Sequence, residues 1–132
     1  MKSMLLSIGT ELLFGSIVNT NSVYLSEKLN EIGVDVLYHA TVGDNPGRLR
    51  KIIDRALEDC DLIITTGGLG PTQDDITKEV VAEAMGEALV LHEPSLEAIK
   101  ARFARYARPM TENNIRQAYM PEGADVLPNA NG

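Results

Sequence analysis

The residues best suited to chemistry stand together in Thr65-Thr66-Gly67-Gly68-Leu69-Gly70-Pro71-Thr72-Gln73-Asp74-Asp75-Ile76-Thr77. This run follows the apolar Leu62-Ile63-Ile64 and leads into a helical pattern, so a buried strand ends in a glycine-rich turn and the turn ends in two carboxylates. Glycines at 67, 68 and 70 let the backbone come close to a ligand with no Cβ in the way. Their amides, with the hydroxyls of Thr65, Thr66 and Thr72, can face an anion. The carboxylates follow where a metal or a water would be held. Together these groups equip a chain to bind a phosphate ester and act on it.

The run is not one of the common phosphate loops. A P-loop needs a lysine after its last glycine and none is present, and a dinucleotide fingerprint needs glycine where Gln73 stands. A tight strand-to-helix turn would need fewer glycines and threonines than this, so anion binding is the preferred reading. Asp74 and Asp75 could instead charge a helix N-terminus, a contribution of about 1 kcal/mol. Asp75, one turn beyond the glycines with Thr77 two residues on, is the stronger functional candidate. Asp44 reads equally as a helix cap and as a site residue. Glu11, after Gly9 and Thr10, is a weaker candidate for positioning. Asn19, Thr20 and Asn21 read first as helix caps. His39 and His92 lack ligand spacing, which argues against zinc, and the scattered methionines read as core filling. Arg102, Arg105 and Arg108 form a basic ridge best read as solvated.

The elements that position these residues alternate. Met4–Ile8 reads as a first strand, followed by a loop over residues 9–16. A helix runs from about Asn19–Ser22 to Ile32, with Leu25, Leu29 and Ile32 inward and Gly33 as its stop. Val34–Thr41 is a second strand. Asp44 or Asn45 caps a helix with Pro46 in its first turn, and Leu49, Ile52, Ile53, Ala56 and Leu57 give it an apolar face. Leu62–Thr65 is the third strand. Ile76, Val80, Val81, Ala84 and Met85 define the next helix, stopped by Gly86. Ala88–Leu91 is a loop or a short strand. Another helix starts at Pro94, with Leu96, Ile99 and Phe103 inward, and ends by Pro109; a short one covers 112–118 before the turn at Pro121-Glu122-Gly123. Asp125-Val126-Leu127 reads as the start of a further strand. Apolar strands alternating with helices predict an α/β sandwich with a mostly parallel sheet covered on both faces. Ligands in such sheets bind beyond the strands' carboxyl ends, which sets Gly9-Thr10-Glu11, Gly43-Asp44 and the glycine loop on one rim.

With 12 basic against 19 acidic residues and a pI near 4.7, the chain lacks the basic excess that nucleic-acid binding needs. A small anion remains admissible, because a local amide nest overrides distant charge. The lone Cys60, between Asp59 and Asp61, fits a reducing compartment and opposes a reactive thiol. No apolar run reaches membrane-spanning length, so the expectation is a cytoplasmic protein with no membrane partner.

Four segments carry a family resemblance. Thr65–Thr72 through Asp75-Ile76-Thr77 resembles the signature of the molybdopterin-binding, MoaB/Mog-like domain of molybdenum-cofactor biosynthesis. The leucine between the glycines is similar to the amino-terminal domain of the competence-damage-inducible (CinA) proteins. Gly9-Thr10-Glu11-Leu12-Leu13 with Gly15 and Asn19-Thr20-Asn21 resembles that family's opening. Met110–Ala118 resembles its later helix, and Pro121–Ala124 with Leu127-Pro128-Asn129 and Gly132 its lead-in to a further glycine motif. The resemblance implies one domain over 1–132, shortened at its C-terminal end, that binds an anionic nucleotide or pterin. By the same likeness Asp75 and Asp44 are the catalytic and metal residues, with a divalent ion such as Mg2+. Gly9, Thr10, Glu11, Thr66, Gly67, Gly68, Gly70, Pro71, Thr72 and Thr77 are then ligand-binding. The implied activity is ADP-ribose pyrophosphatase, giving AMP and ribose 5-phosphate. The alternatives are adenylyl transfer onto molybdopterin and a non-catalytic binding module. Homo-oligomerisation is implied as well.

Overall fold

The computed structural model describes residues 1–129. Three strands form the main sheet: β1 (Lys2–Ile8), β2 (Asp35–Val42) and β3 (Leu62–Thr66). Their order is β2-β1-β3, and both pairings are parallel. The central strand β1 is buried from Ser3 to Ile8, as a strand covered on both faces must be. Its side chains alternate between two cores. Leu5 meets Leu29 and Val34 beneath helix α2 (Thr20–Glu31). Leu6 and Ile8 meet Val42, Leu49, Ile53 and Val80 beneath helices α3 (Pro46–Asp59) and α4 (Thr77–Met85). The result is helix, sheet, helix: the expected sandwich.

The predicted helices form, with corrections at their ends. Ile32 and Met85, expected inward, are exposed. Gly33 and Gly86 take positive φ immediately after them, so the chain leaves its helical path there and Val34 fills the core position that Ile32 would have taken. Leu57 is also largely exposed, while Ala56 beside it is buried. Among the methionines Met4 is a core residue, whereas Met1 and Met85 lie in solvent. Asn45, not Asp44, caps α3: its side chain accepts from Arg48 N at 2.9 Å. His92 caps α5 (Glu93–Arg105) by accepting from Ser95 N. Residues 9–16, expected as a loop, contain a one-turn helix α1 (Thr10–Leu13).

The second half departs further from expectation. Ala88–Leu91 contains a strand, β4 (Leu89–Leu91), but it pairs antiparallel with β5 (Tyr119–Pro121) as a separate two-stranded sheet. The expected helix over 112–118 divides into α6 (Glu112–Ile115) and a 3-10 turn over Arg116–Ala118. Among the described residues, 124–129 form no strand, and Leu127 is exposed. Residues 130–132 of the tail lie outside the described residues. Among the described residues no helix is long and apolar enough to cross a membrane.

Candidate functional site

Parallel pairing brings the three strand ends to one rim. Ile8 stands opposite Val42 and Ser7 opposite Thr66, so the loops after β1, β2 and β3 emerge side by side. Because β1 lies between its partners, the loops after β2 and β3 are about two strand spacings, ~10 Å, apart. The β1–β2 connection covers one face of the sheet and the β2–β3 connection the other. A crevice therefore opens between β1 and β3, as expected at such a switch point.

The crevice is a cleft of about 160 Å3, lined by Ile8, Glu11, Ile17, Asn19, Thr66 and Gly67 among others. Its floor is hydroxylic. Ser7 Oγ, buried on β1, accepts from Asn19 Nδ2 at 2.8 Å and from Thr66 Oγ1 at 3.4 Å, and lies 3.3 Å from Ser22 Oγ. Asn19 Oδ1 meanwhile accepts from Ser22 N, capping α2. Sequence reading took Asn19 only as a cap; the structure adds a place in the cleft floor. Ile17 and Val18 were missed altogether, having no periodicity to mark them.

Gly67 and Gly68 have φ of 90° and 61°. A Cβ at Gly67 would fall on the Ile8 carbonyl oxygen, and one at Gly68 on Thr77 Oγ1. Thr77 is buried, its hydroxyl donates to Gly67 O at 2.8 Å, and its amide donates to Gly68 O at 3.1 Å. Thr77, expected to face the ligand, instead lies beneath the loop and shapes it. In a trans peptide the N–H points opposite to the preceding C=O. With the Gly67 and Gly68 carbonyls drawn down to Thr77, the amides of Gly68 and Leu69 face away from it, towards the rim. Gly67 and Leu69 themselves are exposed.

The second half of the loop works differently. Thr72 donates to Asp75 Oδ2 from both its amide (2.8 Å) and its hydroxyl (2.6 Å). A Cβ on Gly70 would stand 2.7 Å from the same oxygen. Gly70 and Thr72, expected as donors to the ligand, thus form the seat of the Asp75 carboxylate. Neither aspartate caps α4, whose N-cap is Ile76 with no side-chain cap bond; Asp74 is exposed. Across the rim Asp44 accepts from Thr10 Oγ1 at 2.7 Å and Thr10 N at 3.2 Å, again on Oδ2, and its own amide donates to Thr10 Oγ1. Thr10 thus ties the β1 loop to the β2 loop. Pro71 is half-buried between the two parts of the glycine loop. Among the described residues no three of His, Cys, Asp or Glu gather as a metal-holding group.

Partial burial pushes the Asp75 carboxyl up. It is outweighed by the Thr72 hydroxyl, the amides of Gly70 and Thr72, and the positive charge of Arg116, which hold the group below its ordinary value. For a depressed carboxylate the stabilising contribution is complete above the ordinary aspartate range and is lost as pH falls through the lower folded-state value. Acid titration of the urea midpoint should therefore show a loss below the ordinary aspartate range that is smaller in Asp75→Asn. Parallel curves for the two proteins would contradict this. Burial first, then Asp59 and Asp61, pushes the Cys60 thiol up, in keeping with an unreactive cysteine.

Residues 4–127 match the family described as "Probable molybdopterin binding domain". The chain is 60% identical over 132 residues to a "competence-damage inducible protein" of Acetivibrio thermocellus, covering 100% of this chain and 32% of that protein. Among solved structures, the protein CinA of Thermoplasma acidophilum superposes with a TM-score of 0.88 at 30% identity, over 99% of this chain and 76% of the other. The molybdopterin biosynthesis enzyme MoaB of Thermus thermophilus gives 0.57 at 26% identity, over 62% and 53%. The chain spans about a third of the length of the curated relatives it matches.

Proposed function

From the premise that this chain belongs to the molybdopterin-binding domain family, on its CinA side, we propose that the rim cleft binds an anionic nucleotide or pterin and that its function is ADP-ribose hydrolysis. The observation that carries this reading is the cleft between β1 and β3, with Thr66 and Gly67 in its wall and the Gly68 and Leu69 amides turned towards the rim. A diphosphate is the ligand such amides suit. The aromatic ring of the ligand lies against Ile17 and Val18, and Asn19 and Glu11 offer hydrogen bonds to its edges or to a ribose.

Asp44 and Asp75 reach the rim from opposite sides of β1, and in both the threonine contacts fall on Oδ2. Two oriented carboxylates fit a hard cation that keeps several waters and takes its other ligands from phosphate, which is the habit of Mg2+. Such an ion, when bound, supplies Lewis acidity towards the phosphoryl oxygens. The chain's own share is to hold the diphosphate on its amides and to keep Asp75 ionised and oriented. Water adds to one phosphorus, the bridging P–O bond breaks, and AMP and ribose 5-phosphate leave.

A second reading, adenylyl transfer onto molybdopterin, draws support from the likeness to MoaB. Incubating the full-length protein with ADP-ribose and Mg2+, and separately with MgATP and molybdopterin, separates the two. The first reading expects AMP and ribose 5-phosphate from ADP-ribose, lost on adding a chelator. An adenylated pterin would overturn it in favour of the second, and heat of ADP-ribose binding with no product in either tube would leave a non-catalytic module.

A further inference from the structure

Arg116 lies outside the rim yet reaches into its glycine loop. The carbonyl of Thr72 accepts two bonds, from Asp75 N at 3.3 Å and from Arg116 Nη1 at 3.0 Å. The 72–75 turn is thus closed from within by Asp75 and from outside by Arg116. The second guanidinium nitrogen, Nη2, donates to Glu79 Oε1 at 2.8 Å, in the first turn of α4. The planar fork of arginine reaches the two acceptors with two separate nitrogens held in a fixed relation, where a lysine would offer all its donors from a single atom. Lys78, the residue before Glu79, completes the circuit by donating to the carbonyls of Arg116 and Tyr119 at 2.8 and 3.0 Å. Helix α4 therefore grips the 116–119 backbone, and that segment grips the loop.

A simple stabilising ion pair explains this poorly. The Arg116 and Glu79 side chains are 37% and 38% exposed, and pairs so open to solvent contribute little. Glu79 Oε2 is buried with no hydrogen-bond partner among the described residues, a cost that a pair serving stability alone would avoid by turning that oxygen to water. What the arrangement does achieve is a fixed place for the Thr72 carbonyl, and with it the Thr72 amide and hydroxyl that seat Asp75. We propose that Arg116 is a positioning residue for the anion site, locking the Thr72–Asp75 turn to α4 and so coupling the β4–β5 unit to the rim. The consequence for ligand binding rests on the function proposed above; the locking of the turn does not.

The test is hydrogen-exchange mass spectrometry on the full-length protein, reading the peptide over residues 70–76, together with calorimetry using ADP-ribose and Mg2+. Arg116→Ala should speed exchange in that peptide about tenfold, the worth of one charge-assisted hydrogen bond, with the α3 peptide unchanged. ADP-ribose affinity should weaken by a similar factor. Free guanidinium at millimolar concentration should restore both, since an open cleft of about 230 Å3 lined by Glu79, Leu89, Arg116 and Tyr119 gives it access; ammonium at equal ionic strength should not. Unchanged exchange at 70–76, or a loosened turn with unaltered affinity, would overturn the proposal. If Arg116→Ala loosens the whole domain, Glu79→Gln decides: it must speed 70–76 selectively though less strongly, and wild-type exchange there would be equally fatal. A loosened turn in a protein that never binds ADP-ribose would sink the functional reading and leave the lock standing.

Discussion

Replacing Asp75 by asparagine should lower the turnover of ADP-ribose in the full-length protein by about 10²- to 10³-fold, the usual loss when a preorganised electrostatic group is removed. Its dissociation constant should stay within about threefold, far below the tenfold that a lost charge-assisted bond would cause. The asymmetry follows from where the carboxylate is held. Asp75 Oδ2 takes both the Thr72 amide and the Thr72 hydroxyl, and an asparagine oxygen can keep both. The turn, and the Gly68 and Leu69 amides before it, would then survive while the negative charge goes. Asp75→Ala is a different experiment: it removes the acceptor, frees the Thr72 amide and hydroxyl and the Gly70 amide, and opens the space against Gly70, so affinity should fall along with rate. Product chromatography gives the rate and calorimetry the affinity. A variant Asp75→Asn that turns over at the wild-type rate would leave the carboxylate a merely structural part of the loop.

This dependence on an acceptor was only half legible in the chain. That a glycine loop follows β3, and that it shares a rim with the ends of β1 and β2, could be read from apolar runs, turn residues and the rule for parallel sheets. These signals are local and periodic. Which donors of the loop serve the ligand and which serve the protein was not legible, because it depends on the direction of individual peptide planes. Thr72 and Thr77 look alike in sequence; one faces a carboxylate at the surface and the other is sealed beneath Gly67 and Gly68. Asp44 and Asn45 are adjacent and both are good caps, and only the pull of Thr10, at the start of α1 beyond β1, separates their roles. Arg116 belongs to a run that reads as one short helix, and its partners at 72 and 79 are about 40 residues away. The antiparallel β4–β5 pair was hidden for a related reason. Three-residue strands carry too little alternation to declare their partner.

The largest loss of stability should come from Gly67→Ala, and a second glycine shows why. Gly67 and Gly86 both have positive φ, 90° and 73°, so alanine at either one pays a backbone cost of about 1–2 kcal/mol. Around Gly86 nothing among the described residues beyond its chain neighbours lies within 4 Å of the added methyl, and the cost ends there. At Gly67 the methyl would fall on the Ile8 carbonyl, a backbone atom of the central strand that cannot turn aside as a side chain would. Relief requires moving the end of β3 away from β1, at the expense of the pairing between Ser7 and Thr66 and of the core around Ile8. The total should exceed about 3 kcal/mol, within the small class of severe single substitutions. For a domain of this size that is a fall in Tm of roughly 10 °C or more, against about 3–6 °C for Gly86→Ala. Thermal unfolding of the two variants beside the wild type makes the comparison, and equal shifts would mean that the close approach of the glycine loop to β1 contributes nothing. The same displacement would swing the Gly68 amide away from the cleft, so Gly67→Ala that still folds should lose ADP-ribose binding while Gly86→Ala retains it.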